Sequence, residues 1–311
     1  MPRSILVLLD GSRFAEYALP TALDLARVAG ARLRLLMVHE PAMALVPAAN
    51  MPVATGRGEL ELRAEQNTYL ANTAFGLGID GSSPVAYELI DGLAGPAIAE
   101  AITTRSPDLI VMSTHGRGAL SRFWLGSVAD YLIRHVSVPI LLLRPKDGEE
   151  IPAPGLNIQR VLVPVDLSAP SETILDALRP IAQATQAHLT LLHIVEPMLG
   201  PAAALPYSTA LDPEAIETRR VEAERDLDRL AGELRAVGIS VATKVVVGLG
   251  IAETVLDISE SHRFDLVALS TNGAGGLKRF LLGSVADKVI RGGVKPVLVY
   301  RPPEAPARWQ L

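Results

Sequence analysis

The sequence predicts an α/β protein of two tandem doubly wound parallel-sheet domains, Rossmann-like and five-stranded each. Three observations predict it. The chain is one unit written twice at an offset of about 156–157 residues. Within each half, short apolar runs alternate with longer stretches of helical period. A stretch rich in charge, proline and glycine, Lys146 to Gly155, parts the halves.

The repeat is clearest late in each half. Ser113-Thr114-His115-Gly116-Arg117-Gly118 aligns with Ser270-Thr271-Asn272-Gly273-Ala274-Gly275, and Gly126-Ser127-Val128-Ala129-Asp130 with Gly283-Ser284-Val285-Ala286-Asp287. From Ser113 to Pro145 about 19 of 33 positions are identical to their counterparts, far beyond coincidence. The beginnings match too, Ile5 to Ser12 opposite Val161 to Ser168. We therefore expect domains at 1–146 and 156–303, a linker at 147–155 and a tail at 304–311.

In chain order, the first half should carry strands near 4–9, 31–38, 84–90, 108–113 and 138–143. The second should carry them near 159–165, 188–195, 239–247, 265–270 and 296–300. Runs such as Leu109-Ile110-Val111-Met112 are apolar on consecutive residues, as a parallel strand covered by helices on both faces requires. Helices fill the gaps, among them Glu59 to Ala74 and its counterpart Glu214 to Ala236, each with charge on one face and Leu, Ala or Val on the other. Another follows Gly126, over 127–134.

Composition narrows the function classes. At 311 residues, 49% hydrophobic and 20% charged, the chain is globular and long enough for two domains. A net charge of −5 supplies no overall attraction for nucleic acid or an anionic membrane. Cysteine is absent, which excludes disulfides, thiolate nucleophiles and cysteine-based metal sites. No apolar run resembles a secretory leader or reaches the ~18 residues of a membrane span. The expectation is a cytoplasmic protein with neither nucleic acid nor membrane as partner.

In doubly wound sheets, ligands settle beyond the carboxyl ends of the strands. Gly126-Ser127 and Gly283-Ser284 stand before a helix, where free N–H groups and the helix dipole favour a phosphate. Alone, Ser-Val-Ala-Asp also reads as a capping box, serine at the N-cap and an acid at N3. Two facts favour a ligand: Gly116 and Gly273 precede those glycines by ten residues, and these loops match better between the halves than the helices do, although loops usually drift fastest. Asp10 and Asp166 close the first strand of each half, as acceptors for a base amino group or ribose hydroxyl, or as turn residues.

With the Asp-ending first strand, the fourth strand leading into Ser-Thr-His-Gly and the spaced Gly-Ser before the last helix, the sequence resembles the universal stress protein family in its tandem form. The nucleotide-binding branch carries Gly, two residues, Gly, nine residues, then Gly with Ser or Thr. Both halves keep the last three elements; Ser113 and Ser270 replace the first glycine. The resemblance implies adenine against Asp10 and the backbone of Val38, and ribose and phosphates against Ser113, Gly116, Gly126, Ser127 and Val128. In the second half it implies Asp166, Ile194, Ser270, Gly273, Gly283, Ser284 and Val285. ATP is the implied ligand, with or without Mg²⁺, and AMP or ADP as alternatives. It also implies pairing of the two domains through their last strands and association of chains into a homodimer.

Nothing points to fast catalysis. No histidine is common to both halves: His115 faces Asn272, His193 faces Met37 and His39 faces Val195. Neither a Gly-x-Ser-x-Gly elbow nor a Gly-x-x-x-x-Gly-Lys-Ser/Thr loop occurs. The expected function is adenine-nucleotide binding in stress response or signalling. A scaffold of the same fold without nucleotide, or a slow ATP hydrolase, are the alternatives.

Overall fold

The computed structural model describes residues 2–41, 56–78, 85–114, 125–145, 155, 157–197, 212–271 and 282–303. The chain divides into two compact units, Met1–Leu156 and Asn157–Leu311. The first runs β1 (Ser4–Leu9), α1 (Arg13–Glu16), α2 (Leu19–Ala29), β2 (Arg32–His39), α3 (Gly56–Gly78), β3 (Ala86–Asp91), α4 (Ala94–Arg105), β4 (Leu109–Ser113), α5 (Ser127–His135) and β5 (Ile140–Leu143). The second runs β6 (Arg160–Pro164), α6 (Ala169–Thr185), β7 (His188–Val195), α7 (Pro213–Ala236), β8 (Ser240–Val247), α8 (Ile251–Ser261), β9 (Leu266–Ser270), α9 (Ser284–Gly292) and β10 (Val297–Tyr300). Among the described residues no helix is long and apolar enough to cross a membrane.

Strand order in the first unit is β3-β2-β1-β4-β5, every pair parallel. In the second it is β8-β7-β6-β9-β10, again parallel throughout. Each order reverses beside the first strand, between β1 and β4 and between β6 and β9, and this reversal opens the crevice in which such folds hold ligands. β4 is buried along its whole length and β1, β6 and β9 along all but their end residues, because helices cover both faces. Asp108 staples the start of β1 to β4, accepting from the Arg3 and Ser4 amides at 2.7 and 2.9 Å. Asp265 repeats this on Gln159 and Arg160 at 3.0 and 2.8 Å.

The long helices dock differently. The inward face of α7 is Ala223, Leu227, Leu230, Ala231 and Leu234, all buried. Its counterpart α3 buries only Leu70 and Ala74 among its described side chains and holds its first turns by polar contacts, described below.

After β1 the chain turns into α1 through Ser12, whose hydroxyl accepts from the Ala15 amide at 3.2 Å. Ser12→Ala is expected to cost about 1 kcal/mol, the usual loss of an N-cap. Urea denaturation of the two proteins in parallel measures it.

Candidate functional site

The carboxyl ends of β1, β2 and β4 lie side by side, because the strands are parallel and in register: Val7 faces Leu35 and Val111. Asp10 follows β1 directly. Its Oδ1 accepts from the Ser12 amide at 2.8 Å, which shapes the turn, and Gly11 makes that turn at φ 81°. Asp166 does the same in the second unit, accepting from the Ser168 amide at 3.0 Å and the Ser168 hydroxyl at 2.5 Å. There the positive-φ position is Leu167, at 61°. A leucine held in the left-handed region costs of order 1 kcal/mol, the kind of local strain that gathers at ligand sites.

Along a strand, alternate residues turn their backbone groups to opposite neighbours. The His39 carbonyl accepts from the Gly92 amide at 3.1 Å on the β3 side, so that of Val38 faces the β1 side. Pairing with β1 has already stopped there, at Leu9 opposite Met37. In the second unit the Val195 carbonyl accepts from Gly248 at 3.2 Å and that of Leu192 from Val165 at 2.9 Å. The Ile194 carbonyl therefore faces the β6 side, beyond the Pro164–Leu192 pair that ends the ladder. In both units a carboxylate and a backbone acceptor flank one gap.

The opposite wall begins at Ser113 and Ser270, which end β4 and β9. The next residue ties the wall together. The Thr114 amide donates to Leu143 at 2.8 Å, and the Thr114 carbonyl accepts from the Gly126 amide at 2.9 Å. Thr271 repeats this with Tyr300 and Gly283 at 2.9 and 3.0 Å. A Cβ at Gly126 would stand 3.1 Å from the Thr114 carbonyl oxygen, and one at Gly283 3.0 Å from that of Thr271. These glycines thus admit the chain's own backbone, a role distinct from the close ligand approach expected from the sequence.

The capping-box expectation is corrected here. Gly126 and Gly283 are the N-caps of α5 and α9, and Ser127 and Ser284 are the first helical residues. No side chain caps either helix. Asp130 and Asp287 instead pair with Arg134 and Arg291 one turn on, at 2.9 and 2.8 Å. The reason is the Gly126 amide, whose bond to Thr114 places the glycine just outside the helix. In the first turns of these two nine-residue helices Ser127 and Ser284 are exposed and Val128 and Val285 half-buried, at the positive end of the helix dipole. Gly116 and Gly273 lie outside the described residues.

A cleft of about 730 Å³ adjoins Asp166 in the second unit, lined among others by Leu167, Val195, Arg219, Ala223 and Leu249. The Thr271 hydroxyl, 3% exposed, meets no hydrogen-bond partner among the described residues. Sequence reasoning missed Leu167, Leu249 and Thr271 as site residues. The signal for Thr271 was its identity with Thr114; Leu167 carried none, since its counterpart is glycine. Among the described residues no group of three or more His, Asp or Glu is arranged to hold a metal ion.

Comparison with known proteins places this geometry. The family model for the universal stress protein family matches twice, over residues 1–144 and 157–301. Universal stress protein Rv2005c of Mycobacterium tuberculosis is 31% identical over 229 residues, 72% of this chain and 72% of that protein. Universal stress protein MJ0577 of Methanocaldococcus jannaschii is 27% identical over 154 residues, 46% of this chain and 94% of its own length. The crystal structure of a universal stress protein from Archaeoglobus fulgidus superposes with a TM-score of 0.67 at 19% identity, covering 96% of this chain and 98% of that one. With two family domains spanning nearly its whole length, the chain belongs to the universal stress protein family.

Proposed function

We propose that each unit binds an adenine nucleotide, ATP with or without Mg²⁺ or its AMP and ADP relatives, and that the chain serves stress response or signalling in the cytoplasm as a binder without fast turnover. The observation that carries this is the gap at the strand-order reversal. In both units an aspartate and a carbonyl beyond the end of its ladder stand at the carboxyl end of the sheet, and a helix begins after the strand on the other side of the reversal.

Each part suits one part of the ligand. The Asp10 and Asp166 carboxylates, with the Val38 and Ile194 carbonyls, accept from the base amino group and ribose hydroxyls. The first turns of α5 and α9, at Ser127-Val128 and Ser284-Val285, donate backbone N–H groups to phosphate oxygens. Ser113 and Ser270, at the ends of β4 and β9, join them in this reading, as do Gly116 and Gly273 from outside the described residues. The unmatched Thr271 hydroxyl is a donor awaiting an acceptor. Histidines that differ between the units supply no repeated base to activate water, which favours binding over hydrolysis.

Heat-denaturing the purified chain and chromatographing the supernatant should release adenine nucleotide, and titration calorimetry should report binding of Mg²⁺ and ATP. An empty supernatant together with a flat titration favours a scaffold without nucleotide.

A further inference from the structure

The two units share a fold, but the strand that ends at His39 and the one that ends at Val195 meet their long helices through different chemistry. His39, the last residue of β2, is 2% exposed, and both its ring nitrogens meet side-chain oxygens of α3. Nδ1 lies 2.7 Å from Gln66 Oε1 and Nε2 2.7 Å from Glu59 Oε1. Buried Leu70 and Ala74 on α3 correspond to buried Leu227 and Ala231 on α7, so Gln66 corresponds to Ala223 and Glu59 to Ile216. His39 itself corresponds to Val195. Val195 and Ala223 line the cleft beside Asp166. A polar bridge in the first unit thus stands where the second has two apolar cleft walls.

An imidazole with both nitrogens facing oxygen acceptors satisfies both only when it carries two N–H groups, which is its charged form. The neutral ring has one. It then keeps one of the two bonds, or keeps both by turning the Gln66 amide, and in either case the ring's own positive charge opposite Glu59 is lost. Other groups facing His39 leave this logic intact. Arg63 of α3 pairs with Asp91, which is opposite His39 in the β2–β3 register. Tyr69 donates to Glu16 at 2.9 Å, and burial together with that bond pushes its ionisation up, so it stays neutral. Glu40 accepts from the Ala94 amide at 2.8 Å, and Asp10 accepts from Ser12.

We propose that His39, Glu59 and Gln66 form a protonation-controlled latch holding the first turns of α3 over the end of β2, and that the second unit lacks it. The latch rests on the nucleotide reading only for what it covers. When His39 is charged, the first cleft is held closed along α3; when it is neutral, α3 loosens. The second unit has Val195 and Ala223 at the matching positions and so lacks this latch; His193, Arg219, Glu222 and Asp226, which also line its cleft, stand elsewhere on β7 and α7.

Hydrogen–deuterium exchange on the full chain, corrected for intrinsic rate, tests this, with residues 230–236 of α7, beyond those that line the cleft with His193, as the internal control. Between about pH 8 and about pH 5.5 exchange across residues 58–68 should slow roughly tenfold while the control segment stays unchanged. Glu59→Gln keeps the shape and removes the charge, and it should flatten the response; His39→Val with Gln66→Ala copies the second unit and should do the same. Equal behaviour of α3 and the control segment in the unaltered chain, or a full response surviving in Glu59→Gln, overturns the latch. ATP titrations at both pH values keep the two proposals apart. A pH-dependent α3 with no ATP binding leaves the latch standing and removes the nucleotide. ATP binding with a pH-indifferent α3 does the reverse.

Discussion

Replacing Gly126 and Gly283 together by valine is expected to weaken ATP binding by roughly a hundredfold or more, about 2.7 kcal/mol. The backbone angles themselves tolerate valine: φ and ψ are −57° and 149° at Gly126, and −60° and 145° at Gly283. The obstacle is the neighbour. Each new Cβ presses on a threonine carbonyl at 3.1 or 3.0 Å, so the junction between the strand end and the helix must give by a few tenths of an ångström. The helix N–H groups move with it, and the two γ-methyls stand at the mouth of the gap. Local crowding of this kind costs folding about 1 kcal/mol per site. Calorimetry should therefore show binding lost while urea melts shift only modestly. Each single variant should remove half of the binding stoichiometry, and unchanged affinity in the double variant would mean the ligand sits elsewhere.

Leu227→Ala is expected to destabilise the second unit by about 3 kcal/mol, the cost of a cavity under a fully buried leucine. Leu227 is completely buried at the centre of the apolar stripe of α7, a helix whose outer face carries many exposed charged residues. Ion pairs such as Arg220 with Glu217 are exposed and add little, so the stripe carries the docking. Urea denaturation followed by exchange mass spectrometry should show α7 opening first, with the first unit unaffected. A loss below about 1 kcal/mol would mean that the charged face contributes far more than exposed pairs usually do.

Strand positions were legible to within two residues because a doubly covered parallel strand writes itself as an uninterrupted apolar run. Leu109 to Met112 and Ile140 to Leu143 are examples. The split of the first helical stretch into α1 and α2 was not legible, although α6 is continuous at the same place. The site was legible as a set of loops. Duplication marked Asp10 with Asp166 and Gly126 with Gly283 as positions kept in both halves, and parallel strands put all of them at one end.

The roles of those residues were less legible, because a role depends on what lies opposite. Ser127 has a capping residue's neighbours in sequence, yet Gly126 takes the cap, since its amide bonds to Thr114 twelve residues earlier. Leu167 looks like an ordinary apolar residue until its φ of 61° shows it in the turn that Gly11 makes in the first unit. His39 aligned with valine and read as a lone histidine of no consequence. Only the packing of α3 brings Glu59 and Gln66 to its two nitrogens.

By itself, then, the amino-acid order determined the duplication, the parallel α/β architecture and the end of the sheet at which a ligand belongs. All three follow from periodicity and repetition, which are properties of neighbouring residues or of whole halves compared. Tertiary structure alone decided which backbone Gly126 accommodates, which residue caps α5 and which side chains meet the two nitrogens of His39. Those depend on contacts across 12 to 27 positions of chain, as between Thr114 and Gly126 or His39 and Gln66. Such contacts exist only once the sheet and helices have packed, because a hydrogen bond of 2.7 Å is set by the placement of two elements and by no local preference of either.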